Sequence, residues 1–144
     1  MTKNQPVTEL ISKSVEETKN IARNLILRNS AYPICLYGDL GTGKTIFAKG
    51  AADELGIDGE KIKSPTFNFV REYTLVNGTF SHCDLYRLDE IDEILAEQLE
   101  EAYEKGPVII EWAEKAEKVL PFIRTDVFFE YIDENKRLIK IHGR

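Results

Sequence analysis

Apolar positions recur along this chain at two spacings, and each spacing predicts a different kind of element. Over residues 14–29, SVEETKNIARNLILRN, the residues Val15, Ile21, Ala22, Leu25 and Ile26 fall near helical spacing. Ser14 and Glu17 form a capping box at the start of that helix. The short unbroken apolar runs YPICLY (32–37) and VIIE (108–111) predict buried strands. A second helix with one apolar face runs through IFAKGAADEL and stops at Gly56. The stretch 67–84 predicts two strands, FNFVREYTLV and TFSHCDL, joined at Asn77-Gly78. Alternation in the second of these places Phe80, His82 and Asp84 on one face, with Ser81 and Cys83 on the other. Residues 89–104 predict an acidic helix, and a short helix or loop leads to Pro121. The tail TDVFFEYIDENKRLIKIHG predicts a second hairpin that turns near Asp133–Lys136. Helices alternating with buried strands, with antiparallel additions, predict a layered α/β domain around a mixed sheet.

Composition narrows the picture. With 144 residues, 42% hydrophobic and 31% charged, the chain reads as one globular domain over 1–144. No apolar stretch approaches the roughly 18–20 residues of a membrane helix, and MTKNQPVTELISK lacks an apolar signal core, so a cytoplasmic location without membrane contact is expected. Cys35 and Cys83 lie in apolar surroundings without CxxC spacing and read as core thiols. The net charge of −6 argues against a stand-alone nucleic-acid binder, since phosphate backbones are held by concentrated Lys and Arg.

The chemistry concentrates between the first buried strand and the second helix. Gly38-Asp39-Leu40-Gly41-Thr42-Gly43-Lys44-Thr45 matches G-x-x-x-x-G-K-[ST] in the strand-to-helix context that this motif requires. The glycines let the backbone curl and aim successive N–H groups at phosphate oxygens. The following helix adds its positive N-terminal end. Lys44 is expected on the β- and γ-phosphates, and the Thr45 hydroxyl on Mg²⁺.

A magnesium ion needs a carboxylate, and Glu111 ends a buried strand where an unpaired charge is costly. Glu111 is therefore expected to face Mg²⁺, directly or through water. The neighbouring Trp112, the only tryptophan, is placed beside the nucleotide by adjacency. Asp84 also ends a strand; it either ligates the metal or holds the attacking water, and the water role is favoured. His82 reads as a structural histidine, and Arg87 as either a charge-stabilising arginine or a surface partner of Asp84. In SPTFNF (64–69), Thr66 belongs either to a strand-entry turn or to a mobile loop that senses the γ-phosphate.

No N-K-x-D motif reads guanine, since Asn135-Lys136 continues as Arg137-Leu138, so ATP is expected over GTP. Seven arginines scattered along the chain do not make an arginine-rich kinase lid, so water is the expected acceptor. No glutamine stands in a water-positioning place. Slow hydrolysis alone, raised by a partner, is the expectation, because an arginine supplied in trans is worth about 10³–10⁵ in rate. A small-molecule kinase and a nucleotide-regulated binding module are the alternatives.

Together, GDLGTGKT, SPTFNFV, HCDLYRL and IIEW, in this order and spacing, resemble the bacterial TsaE (YjeE) family over nearly the whole chain, from about residue 8 onward. The resemblance implies an α/β, P-loop NTPase-like three-layer domain with a mixed, mainly parallel central sheet plus antiparallel hairpins. It implies ATP and Mg²⁺. It also implies work with two partner proteins, TsaB and TsaD, which transfer a threonylcarbamoyl group to adenosine 37 of tRNAs reading codons that begin with A. Hydrolysis by this chain would reset that complex between turnovers, with tRNA met only through the complex. Carried onto this sequence, Lys44 and Thr45 are the phosphate and Mg²⁺ residues, Asp84 is an acid needed for activity, and Glu111 is a Mg²⁺ acid. Trp112 lies near the nucleotide and Thr66 in a switch-like segment. Thr42 departs from the family's usual alanine and Cys83 from its frequent aromatic residue; helix 92–104 lacks a glycine that the family often carries.

Overall fold

The computed structural model describes residues 7–63 and 69–143. Its core is a seven-stranded sheet in the order β1-β7-β6-β2-β5-β4-β3. The strands are β1 (Val7–Ser12), β2 (Ile34–Tyr37), β3 (Val70–Leu75), β4 (Gly78–Asp84), β5 (Val108–Glu111), β6 (Thr125–Asp133) and β7 (Lys136–Gly143). The middle four, β6-β2-β5-β4, run parallel, and an antiparallel flank closes each side. The expected mixed α/β sheet with added hairpins is thus what the chain forms.

Helix α1 (Val15–Leu27) begins where the capping box places it: the Ser14 hydroxyl accepts the Glu17 N–H at 3.0 Å. Helices α1 and α2 (Lys44–Glu54) cover one face of the sheet, where Ala22, Phe47, Ala51, Ile34, Leu36 and Ile109 pack together. Helix α3 (Glu93–Lys105) and a 3₁₀ segment, Ala113–Val119, cover the other face over Cys35, Cys83, Val108 and Ile110. The side-chain period of two decides this division. In β5, Ile109 faces α2 while Val108 and Ile110 face α3, so Glu111 shares the α2 side.

Two expectations shift. The first hairpin turns at Val76–Asn77, one residue before Asn77-Gly78, because Leu75 pairs with Gly78. Gly78 opens β4 at φ +112 where an added Cβ would lie 2.7 Å from the Lys105 carbonyl, so close approach to the neighbouring chain, not the turn itself, calls for glycine there. Strand β1 carries no periodic signal: only Ser12 of its six residues is buried, and its place rests on backbone pairing with β7. The second hairpin turns as expected, with the Asn135 N–H bonded to Asp133 Oδ1 at 2.8 Å. Cys35 and Cys83 are buried core thiols. Among the described residues, no helix is long and apolar enough to cross a membrane.

Candidate functional site

The glycine loop leaves the C-terminal end of β2 and enters α2 through Gly43, which caps the helix at φ +102. Such a backbone suits glycine, and glycine offers no side chain to cap the helix. The first-turn N–H groups are therefore left facing outward, as an anion site requires. Thr42, where alanine was noted as usual, is buried and donates its hydroxyl to the Asp39 carbonyl at 2.7 Å, bracing the loop. Leu40 stands exposed at the loop tip.

Lys44 is 5% exposed. Its ammonium donates to the Gly38 carbonyl and, at 2.9 Å, to the Asp39 carbonyl, and it lies 4.3 Å from the centre of the Trp112 ring. Burial lowers its pKa from the ordinary lysine value, while the negative charge of Glu111 opposes that shift.

The burial of Glu111, 2% exposed, is answered by two partners. The Thr45 hydroxyl lies 2.9 Å from Oε1 and 3.2 Å from Oε2. His82 Nε2 lies 2.6 Å from Oε2. The pleat brings these groups together. His82 pairs with Ile109 and Asp84 with Glu111 across β4 and β5, so both acids and the histidine reach the α2 side at the ends of parallel strands. The Leu85 N–H bonds to the Glu111 carbonyl at 3.2 Å and keeps the two strand ends level. Asp84 Oδ1 accepts the Tyr86 N–H at 3.0 Å.

These groups border a cleft of about 420 Å³ that Gly43, Lys44, Thr45, Asp84, Glu111 and Trp112 line, with Arg87 on its edge. The expected loop, both acids and the tryptophan are thus in one place. Thr66 lies outside the described residues. Trp112 holds a left-handed backbone (φ 59, ψ 44), a conformation rare for a bulky residue and one that collects at functional sites. Its ring stacks at a tilt on Tyr86, centroids 5.0 Å apart.

Two contacts escaped sequence reasoning. His82 reads as a structural histidine within HCDLYRL, and its bond to Glu111 was not foreseen; the face it shares with Asp84 was the available signal. Lys115, near the start of the 3₁₀ segment, donates to the carbonyls of Tyr86 at 2.5 Å and Leu88 at 2.6 Å, tying the turn after Asp84 to the segment after Glu111. Nothing in the local pattern marks a lysine for that work. A second cleft, about 260 Å³, lies against Gly41 and Gly43 on the side of β1 and the last hairpin, where Arg137 Nη2 donates to the Gly41 carbonyl at 3.1 Å.

The oxygen set fits a hard divalent cation. Among the described residues no three His, Cys, Asp or Glu side chains gather into a metal cage. A P-loop site does not need one: a hydroxyl and a carboxylate already 2.9 Å apart, with phosphate oxygens and water, make the usual shell for Mg²⁺.

Comparison with known proteins identifies the family. The family model described as "Threonylcarbamoyl adenosine biosynthesis protein TsaE" matches residues 12–139. A Rickettsia felis protein named tRNA threonylcarbamoyladenosine biosynthesis protein TsaE is 39% identical over 135 residues, which is 92% of this chain and 78% of that protein. A protein of the same name from Aquifex aeolicus is 35% identical over 94% of this chain and 96% of its own. The crystal structure of YdiB from Bacillus subtilis superposes with a TM-score of 0.75 at 29% identity, covering 99% of this chain and 88% of YdiB.

Proposed function

This chain belongs to the TsaE family, and from that premise we propose that it is a magnesium-dependent ATPase that sustains threonylcarbamoyl transfer to tRNA. Its role is in tRNA threonylcarbamoyladenosine biosynthesis. The observation that carries the ATPase reading is the contact between Thr45 and the buried Glu111 directly beneath the glycine loop.

The loop N–H groups and the N-terminal end of α2 receive the phosphates of ATP. Lys44 exchanges its two loop carbonyls for phosphate oxygens, whose negative charge offsets the cost of burying its ammonium. Thr45 and Glu111 would hold Mg²⁺, which would neutralise charge on the phosphate oxygens. Asp84, level with Glu111 on the next strand, orients the attacking water. Trp112 walls the cleft and limits entry of further water. Arg87 lines the cleft, but among the described residues no hydrogen bond or ion pair fixes its guanidinium. Slow turnover by the chain alone follows, with stimulation by a partner that completes the charge stabilisation. TsaB and TsaD are the partners in this reading. The net charge of −6 favours meeting tRNA through them.

The test is threonylcarbamoyladenosine formation on tRNA with TsaB, TsaD and the activated threonylcarbamoyl donor, with ATP turnover followed in the same tubes. Wild-type protein is expected to convert a single turnover into many, and Lys44→Ala to leave it single. Equal cycling without this protein sinks the reading, and acceptor-dependent ADP release would indicate a kinase instead.

A further inference from the structure

We propose that His82 is a positioning residue for the metal site: its imidazole fixes the rotation of the Glu111 carboxylate and so sets the affinity for Mg²⁺. The inference rests on the proposed magnesium-dependent reading and deepens it.

His82 is fully buried, and its Nε2 lies 2.6 Å from Glu111 Oε2. The short contact joins the ring nitrogen to a carboxylate oxygen as one hydrogen bond. The opposite nitrogen, Nδ1, is buried with no hydrogen-bond partner among the described residues. A histidine kept for its own packing would leave a costly orphan for no return, since an unsatisfied buried polar atom costs about 1–3 kcal/mol. The bond it does make goes to the acid that faces the nucleotide.

The geometry shows what that bond accomplishes. His82 holds Oε2, and the carboxylate then presents both oxygens to the Thr45 hydroxyl, Oε1 nearer at 2.9 Å and Oε2 at 3.2 Å. Oε1 and the threonine oxygen, 2.9 Å apart, are the pair that would ligate the cation. Without the imidazole, a carboxylate in a nearly dry site is free to turn about its terminal torsion, which is broad and roughly two-fold. Partners that orient a ligating group in this way are typically worth about 10–100-fold in metal affinity.

Side-chain reach provides the test. In His82→Gln the amide nitrogen falls near the position of Nε2 and keeps a donor on Glu111. In His82→Asn the amide stops near Nδ1 and leaves the carboxylate unheld. Trp112, adjacent to Glu111 and the only tryptophan, reports binding by fluorescence. ADP is titrated first without divalent metal, then at fixed ADP with increasing Mg²⁺, and each variant is checked by thermal unfolding. The Mg²⁺ requirement is expected to rise about 10-fold or more in His82→Asn and to stay within about 3-fold in His82→Gln, with metal-free ADP affinity alike in all three. His82→Ala, whose space admits water, replaces the Asn variant if that protein does not fold. A normal Mg²⁺ requirement in His82→Asn overturns the proposal and leaves the ATPase reading standing. A parallel fall in metal-free ADP binding and melting temperature in both variants also overturns it, because that is the signature of a packing residue. If wild-type protein binds ADP without any response to Mg²⁺, the magnesium reading fails, and this inference with it.

Discussion

Lys44 shows how the site stores its reactivity. The ammonium is nearly buried, and two backbone carbonyls and an aromatic face surround it. Burial lowers its pKa, so the folded protein releases that proton more readily than the unfolded chain. Between the lowered folded value and the ordinary one, the unfolded state binds more protons, and stability rises with pH across that window. The contribution is partial, because Glu111 pulls the other way. Nucleotide-free wild type is therefore expected to gain stability relative to Lys44→Met as pH climbs from neutrality toward the ordinary lysine range. Denaturant midpoints of the two proteins measured in parallel check this; a difference that stays flat or widens in the opposite sense refutes it.

At the scale of elements, the site depends on how closely α1 and α2 lie. Gly50 sits in the middle of α2, where an added Cβ would come within 2.5 Å of the Lys19 carbonyl oxygen and 2.6 Å of its Cα. Both obstacles are backbone and cannot swing aside. Alanine in a helix interior gains about 1 kcal/mol over glycine, but overpacking costs about 1–3 kcal/mol and here needs movement of a whole helix. Because both obstacles are backbone, the upper end applies, and Gly50→Ala is expected to lose about 2 kcal/mol net, read as a lower urea midpoint at constant slope. A stabilised variant would mean that the helices separate easily. The consequence for function is direct, because α2 carries Lys44 and Thr45 at its first turn.

At the scale of the molecule, the parallel centre of the sheet places β2, β4 and β5 so that loop, Asp84 and Glu111 emerge at one edge. The same closed centre buries both thiols completely, and burial raises the Cys83 pKa well above its ordinary value. Neither Cys35 nor Cys83 is expected to react with an aromatic disulfide reagent in the native protein, and both are expected to react once urea unfolds it. Rapid labelling of the folded chain would show that the layer of α3 opens locally.

Local rules suffice for much of this protein. The capping box at Ser14, the glycine loop, the apolar runs of β2 and β5 and the last hairpin each have a cause within a few residues, so each is legible in the sequence. The loop's chemistry is legible for the same reason: the motif is contiguous. Strand β1 is not, because an edge strand with exposed side chains is specified by backbone pairing with a partner at the far end of the chain. The turn at Val76–Asn77 was misplaced by one residue because the demand for glycine at Gly78 comes from Lys105, distant in sequence. The partner of Glu111 was hidden in the same way. His82 and Thr45 stand 29 and 66 positions from it in the chain, and only strand register and the placing of α2 against the sheet bring a lone histidine, a loop threonine and a strand-end acid within hydrogen-bonding distance. The sequence by itself determined the glycine loop and most of the elements around it, because those are written in neighbouring residues; tertiary structure alone decided that His82 and Thr45 hold Glu111, because that depends on which strands lie side by side and where α2 packs.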